Sequence, residues 1–458
     1  MKTENMTKKK GKKFKVAEMR IFEGINVPRM KYQPANSRLF VENRRRFAEQ
    51  MEPGCIAIFT TNDIFPRNAD ADYPFRPNSE LYWLTGIDQE DTHLILFPDS
   101  PVAELREVLY IRETSDELAI WEGPKHSKER AKELSGVATI RWSSAFDSQL
   151  HPLMTYATGC YLNSNENDRL GNFLPDASLR LTQRLQSRYP LHAYHRAAPI
   201  LARLRSRKQQ AEVELIKKAI SVTGEAFTEL LPKVKPGMWE FEIEAELIRS
   251  LLRKRANGFS FSPIIASGAS ACILHYTHND RQCADGDLIL MDFGADYAHY
   301  AGDMTRCVPA NGRFSARQKQ LYDAVLRVQA AATKLLVAGR TLDEYNRESA
   351  LIMQDELLSL GLLSKNDLAG APAESPAYKK YFPHATGHFL GIDVHDIGER
   401  YGRLDEGMVI TCEPGIYVRE EGIGIRIEND ILITAQGPIN LMEGIPIETG
   451  ELEELLNR

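Results

Sequence analysis

The chain has 458 residues, which exceeds the usual size of one domain and predicts two domains. Its composition, 43% hydrophobic and 26% charged, is that of a globular protein with enough apolar residues for complete cores. The formal net charge of −6 is spread along the chain and argues against nucleic acid as a partner. No stretch of about 18 consecutive apolar residues is present to span a membrane, and the cysteines are scattered without a C-x-x-C pair. We therefore expect a cytoplasmic protein without a membrane partner.

Residues 1–35 are expected to form a basic, disordered arm. Seven of the first fifteen residues are lysine, and a block of like charges repels itself. The arm lacks the apolar segment that a secretory signal carries after its charges.

Residues 36–205 are predicted to form an α/β domain. Turn signals separate a helix-like stretch and short β-rich runs, at Arg38–Met51, Ile56–Thr60, His93–Phe97 and Val108–Arg112. The basic segment around Ala198–Arg207 then leads into a long amphipathic stretch, so we place the domain boundary there.

Residues 206–458 are predicted to form an α+β catalytic domain with a largely antiparallel sheet. Amphipathic helices are expected on both sides of Pro236-Gly237 and at Ala316–Val337 and Leu342–Leu360. Strands are expected at Leu288–Phe293, Met304–Val308, Met408–Cys412, Gly424–Glu428 and Ile431–Thr434. The segment Ser364–Lys380 is predicted to be a loop that borders a site.

Asp292 and Asp303 stand on either side of a predicted hairpin. With its tip at Tyr297 and Ala298, the two aspartates would face each other across the ladder. Facing carboxylates repel, and a metal ion is the simplest positive group to lie between them. For Asp296, nearer the tip, we expect an exposed turn position.

The stretch HATGHFLGIDVHD places His384, His388 and His395 close together in sequence. Such a cluster, with carboxylates downstream, indicates a site. His384 and His388 have the spacing of a helical zinc site, but Gly387 between them would interrupt a helix. The spacing alone does not say which histidine binds a metal.

Two glutamates complete the candidate set, Glu413 in MVITCEPGIYV and Glu428 in GIGIRIENDILIT. In the second segment Arg426 and Glu428 share one strand face, opposite two isoleucines. A buried polar face needs partners, and Arg426 is suited to hold a carboxylate. The alternative, a solvent-facing Arg/Glu strand, would not explain why glycines flank both glutamates.

Taken together, these motifs resemble the proline-specific metallopeptidases with the pita-bread fold, in particular the aminopeptidase P (Xaa-Pro aminopeptidase) branch. The resemblance also includes YPFRPNSELYWLTG in the N-terminal half. It implies an α+β protein in which a C-terminal pita-bread (creatinase/aminopeptidase) domain follows an N-terminal α/β domain. It implies two divalent metal ions, with Mn²⁺ best suited to the donors and Co²⁺, Fe²⁺ or Zn²⁺ as alternatives. The implied ligands are Asp292, Asp303, His388, Glu413 and Glu428.

The resemblance also implies which residues act on the substrate. His275 of ILHYT is similar to a histidine near the scissile peptide, and His384 and His395 correspond to substrate and transition-state contacts. Glu413 would additionally move a proton, and a metal-bridging hydroxide would be the nucleophile. Arg426 and Tyr417 are expected to orient the ligands.

The implied activity is removal of the N-terminal residue from peptides with proline in second position. An Xaa-Pro dipeptidase (prolidase) is the alternative within the enzyme class, because it shares all five ligands. A pita-bread binding protein without metals is the alternative from another class, and the presence of every ligand argues against it. Besides peptide substrates, further copies of the chain are expected as partners, in a dimer or tetramer. One departure from many relatives is the short link between Val418 and Gly422, which affects the rim of the pocket.

Overall fold

The computed structural model describes residues 30–167, 169–171, 174–372 and 374–458. The lysine-rich residues 1–29 of the predicted arm lie outside the described residues. The end of the arm differs from the prediction, because Tyr32 is buried, donates a hydrogen bond to Asp88 (3.4 Å) and packs against His299. Within the described ranges, no helix is long and apolar enough to cross a membrane.

The N-terminal half is built around one mixed sheet. Its elements are α1 (Arg38–Ala48), β1 (Cys55–Thr60), β2 (Pro66–Asn68), β3 (Ala71–Asp72), α2 (Ser79–Thr85), β4 (His93–Leu96), β5 (Glu107–Ile111), α3 (Asp116–Glu122), α4 (Lys128–Ser135), β6 (Thr139–Trp142), α5 (Phe146–Tyr156), β7 (Gly159–Leu162), α6 (Ala177–Arg188), β8 (Ala193–Arg196) and α7 (Ala198–Ser206). The six-stranded sheet has the order β6-β5-β4-β1-β7-β8. β4 pairs antiparallel with β1 and β5, and the other three pairings are parallel. The predicted α/β character of this half is confirmed.

Both faces of the four inner strands, β5, β4, β1 and β7, are mainly buried. Along β1, Ile56 and Ile58 join a cluster that includes residues of α5 and α6, whereas Ala57 and Phe59 face the core shared with the C-terminal half. Alternate residues of a strand point to opposite faces, so a strand covered on both sides needs apolar residues at every position. The run CIAIF meets this requirement.

The C-terminal half combines helices with small antiparallel sheets. Its elements are α8 (Gln210–Leu230), α9 (Glu240–Arg253), β9 (Gly258–Phe259), β10 (Ile264–Ser267), β11 (Leu288–Phe293), β12 (Ala295–Tyr297), β13 (Tyr300–Ala301), β14 (Met304–Pro309), α10 (Ala316–Thr333), α11 (Leu342–Ser359), α12 (Lys365–Gly370), β15 (Val409–Cys412), β16 (Gly415–Val418), β17 (Ile423–Arg426), β18 (Asn429–Thr434), β19 (Gly437–Asn440) and α13 (Thr449–Leu456). The sheets are β10-β11-β14, β13-β12-β9, β15-β18-β19 and β16-β17, and the strands in each are antiparallel. The predicted α+β class is confirmed, but the predicted loop at Ser364–Lys380 contains the short helix α12.

The segment Tyr73–Gly86 joins the two halves. The indole nitrogen of Trp83 donates to Glu212 of α8 at 2.9 Å. The hydroxyl of Tyr82 donates to the carbonyl of Ala298 at 3.1 Å. The N-terminal half therefore contacts the hairpin that carries the candidate aspartates.

Candidate metal centre

The hairpin that carries Asp292 and Asp303 has a different register from the predicted one. Asp292 lies opposite Thr305, because the turn is formed by Ala298 and His299, one residue later than expected. Both turn residues have positive φ, 53° and 62°, as a tight two-residue turn requires. Asp303 is two residues before Thr305, so it is the diagonal neighbour of Asp292 on the same face. The predicted proximity of the two aspartates thus arises from a diagonal relationship.

Two glycines let this hairpin pass from one sheet to another. A Cβ atom on Gly294 would overlap the carbonyl oxygen of Gly302. Beyond this crossing, Asp296 differs from the expected exposed turn residue, since it is only 4% exposed. It pairs with Arg76 of the N-terminal half and accepts a hydrogen bond from Asn257 at 3.0 Å. The expectation for Asp296 was wrong, because the N-terminal half covers the hairpin tip.

His388 lies on an extended segment beside β15. Its N–H donates to the hydroxyl of Thr411 at 3.0 Å, and the Thr411 N–H donates back to the His388 carbonyl at 3.0 Å. A Cβ atom on Gly387 would overlap the Thr411 carbonyl oxygen, so only glycine allows this approach. His384 and His388 are therefore not on one helix.

The imidazole of His388 is turned toward the carboxylates. Nδ1 lies 3.0 Å from the carbonyl of Phe389 and donates to it, which leaves Nε2 as an acceptor. Nε2 is 3.4 Å from Asp303 and 3.6 Å from Glu413. Burial lowers the pKa of His388 and favours the neutral ring that a metal ligand requires.

The glutamates enter from two further segments. Glu413 directly follows β15, and its N–H donates to the carbonyl of Thr386 at 2.8 Å. Glu428 lies between β17 and β18 and accepts a hydrogen bond from the hydroxyl of Thr305 at 2.7 Å. Ligand atoms of Asp303, His388 and Glu428 all lie within 4.8 Å of one another.

The site carries more negative charge than its own residues neutralise. Burial raises the pKa of Asp303 and Glu428 well above the usual range, and neighbouring carboxylates add to the shift. Burial likewise raises the pKa of Glu413 to about 7. Without a cation, the buried cluster favours protonated carboxyl groups.

Asp292 completes a donor set that fits divalent cations. Arg426 donates to Oδ2 of Asp292 at 2.5 Å, whereas the buried Oδ1 atom has no hydrogen-bond partner. A buried carboxylate oxygen without a partner is costly unless a positive group compensates. Four carboxylates and one neutral imidazole suit hard or borderline divalent ions, so the residues fit the predicted two-metal site.

The other predicted residues surround this cluster. The hydroxyl of Tyr417 lies 2.8 Å from Nε2 of His384 and accepts from Arg426 at 2.8 Å. The His395 ring packs edge-on against that of His388, with centroids 4.4 Å apart. His275 is exposed. Burial, with a smaller contribution from repulsion by His275, lowers the pKa of His384 and of His395 to about 3.

Thr305 and Asp430 were not identified from the sequence. Thr305 bonds Glu428 and also accepts from Arg426 at 3.2 Å. The buried Asp430 accepts the backbone N–H of Asp303 at 3.2 Å. Each stands two residues after a candidate ligand, so strand alternation was the signal that would have revealed them.

A cavity of about 810 Å³ opens beside the cluster. His388 and His395 line it from the C-terminal half, and Asn167 and Arg169 line it from the N-terminal half. Its volume is in the range of small-ligand sites, and its lining means that a ligand could contact both halves.

Comparison with known proteins finds relatives of this chain in both sequence and structure. The sequence model of metallopeptidase family M24 matches residues 214–435, and that of the aminopeptidase P N-terminal domain matches 40–161. An Xaa-Pro aminopeptidase from Haemophilus influenzae is 33% identical, over 91% of this chain and 97% of the relative. A human Xaa-Pro dipeptidase is 29% identical, over 91% of this chain and 92% of the relative. The solved structure of zinc-substituted Escherichia coli aminopeptidase P in complex with product has a TM-score of 0.82 and 32% identity, over 93% of this chain and 99% of that one.

Proposed function

This chain belongs to the aminopeptidase P family of metallopeptidases, and we propose that it removes the N-terminal residue from peptides that carry proline in second position. One observation carries this proposal: a neutral His388 lies among buried carboxylates. One of these carboxylates, Asp292, has a buried oxygen without a hydrogen-bond partner. The adjoining cavity between the halves supports a peptide as the substrate.

Five residues would hold two divalent cations: Asp292, Asp303, His388, Glu413 and Glu428. We propose Mn²⁺ as the native metal, since four carboxylates and a single imidazole form a mainly oxygen donor set. When bound, the cations would lower the pKa of a water molecule and polarise the scissile carbonyl.

The remaining residues would bind the substrate and move protons. The bond before proline has no N–H, so the enzyme cannot orient the substrate through that donor. His275, His384 and His395 would provide polar contacts at the scissile bond instead. Glu413 would also hold and release the proton that moves during the reaction.

The proposal is tested with Xaa-Pro tripeptides and Xaa-Pro dipeptides, each assayed with Mn²⁺, Co²⁺ or Zn²⁺. We expect cleavage of the tripeptides and the highest rate with Mn²⁺. Hydrolysis confined to dipeptides such as Gly-Pro would support the dipeptidase instead, although the human dipeptidase shares less identity than the bacterial aminopeptidase, 29% against 33%.

Two variants provide the controls. Glu413→Ala removes a proposed ligand and should abolish turnover. Glu443→Ala changes an exposed glutamate and should leave turnover unchanged. A metal-binding assay that finds no bound Mn²⁺ would favour the non-catalytic binding protein.

We further propose that the enzyme is a cytoplasmic homo-oligomer. The expected dimer or tetramer is measured by light scattering of the full chain, and the cellular compartment is measured by fractionation.

A further inference from the structure

Arg205 is a buried cation at the junction of the two halves. It is the penultimate residue of α7 and is 1% exposed. Nη1 donates to Glu80 at 2.7 Å, and Nη2 donates to Asp393 at 2.9 Å and to Asp396 at 2.5 Å. Glu80 belongs to the N-terminal half and the two aspartates to the C-terminal half, so one guanidinium links both.

Two further side chains complete this arrangement. Lys208 donates to the second oxygen of Asp396 at 3.0 Å, and Ser79 donates to Asp393 at 2.8 Å. Burial by itself would raise the pKa of Asp396, but the charges of Arg205 and Lys208 outweigh it and lower the pKa. Asp396 is therefore a buried carboxylate held between two cations.

The two aspartates belong to the segment that carries His395. Asp396 follows His395 directly, and its N–H donates to the carbonyl of Phe389 at 2.9 Å. This bond closes a loop that starts immediately after His388. The loop brings the rings of His388 and His395 into contact. Fixing Asp396 therefore fixes the backbone that directs the His395 imidazole.

We propose that Arg205 is a positioning residue that sets the orientation of His395 through Asp393 and Asp396. The N-terminal half contributes through Ser79 and Glu80, which belong to the segment Tyr73–Gly86. The inference rests on the proposed function, in which His395 contacts the substrate.

A double-mutant cycle distinguishes positioning from general structural support. Asp393→Asn is the milder change, because the Asp393 side chain is 36% exposed. Arg205→Lys is the stronger change, because an ammonium cannot reproduce the guanidinium contacts. Each is combined with His395→Ala and compared with the matched control Asp355→Asn on an exposed helical position.

In the wild-type background we expect Asp393→Asn to lower kcat by about 10- to 100-fold with little change in KM, the usual scale for groups that orient a site residue. In the His395→Ala background the same substitution should have no further effect. Equal losses in both backgrounds would overturn the inference. Turnover by the metal-loaded wild-type enzyme tests the proposed function separately in the same assay.

NMR spectroscopy of the metal-free protein tests the inference without measuring turnover. Asp393→Asn and Arg205→Lys should shift the His395 ring resonances in NMR spectra and leave those of His299 unchanged, because His299 bonds Asp88 in a separate contact. Unshifted His395 resonances in both variants would also overturn the inference.

Discussion

Arg426 donates from Nη2 to Oδ2 of Asp292 at 2.5 Å while Nη1 donates to the hydroxyl of Tyr417 at 2.8 Å. The same guanidinium therefore orients a proposed ligand and, through Tyr417, His384. Because these two bonds need the planar fork of arginine, Arg426→Lys should weaken Mn²⁺ binding by about 10- to 100-fold. Calorimetric titration of the metal-free protein with Mn²⁺ measures the affinity. Arg313→Lys, at an exposed position, is the control, and equal affinity in both variants would contradict the prediction.

Metal binding should release protons near neutral pH. Burial, with added repulsion from Asp303 and Asp292, raises the pKa of Glu413 to about 7, and a cation favours the ionised form. Calorimetry in buffers with different ionisation enthalpies measures the number of protons released. A metal-binding enthalpy that is the same in every buffer would show that no proton is released.

The same shift makes a prediction for stability. At pH values between 4.5, the ordinary glutamate pKa, and about 7, the folded metal-free protein binds more protons at Glu413 than the unfolded chain does. The contribution of Glu413 to the free energy of unfolding should therefore fall as pH rises through this window. Thermal melts of metal-free wild-type and Glu413→Gln protein across this pH range measure the contribution as the difference in stability between the two proteins. A difference that does not change with pH would count against the raised pKa.

Thr305→Val should weaken metal binding with a modest loss of stability. The substitution keeps the shape of the side chain but removes the hydroxyl that donates to Glu428 and accepts from Arg426. We expect about a 10-fold weaker affinity for Mn²⁺ and a loss of about 1–3 kcal/mol in the free energy of unfolding. Thr228→Val is the control, at an exposed position where the hydroxyl donates to the Gly224 carbonyl of the same helix. Equal metal affinity in the two variants would mean that Thr305 does not orient Glu428.

Gly387→Ala should displace the segment that carries His388. The added Cβ would overlap the carbonyl oxygen of Thr411, which is backbone and cannot rotate away. Such overpacking costs about 1–3 kcal/mol and should also weaken metal binding. Gly370→Ala, where a Cβ meets nothing within 4 Å, should be neutral in both measurements. The melting temperature and the Mn²⁺ affinity of the two variants are compared. Equal stability and equal affinity would contradict the close approach of Gly387 to β15.

Local patterns located most elements well. The strand Leu288–Phe293 was predicted to its exact bounds, and helices α10 and α11 were predicted to start where they do, at Ala316 and Leu342. Periodicity and turn residues are local properties, which explains this agreement. The predicted hairpin turn was one residue too early. The actual turn residues, Ala298 and His299, adopt positive φ although neither is glycine, so no turn signal marked His299 in the sequence.

By itself, the sequence determined the chemistry of the candidate site: carboxylates and histidines in short motifs, with Arg426 two positions before Glu428. Only the tertiary structure decided which atoms meet. Asp292 and Arg426 are separated by 134 positions, yet their side chains are 2.5 Å apart. Asp296 was expected in solvent but is covered by Arg76 of the other half. Contacts between distant segments depend on how whole elements pack, and no local pattern encodes that packing at the precision of a hydrogen bond.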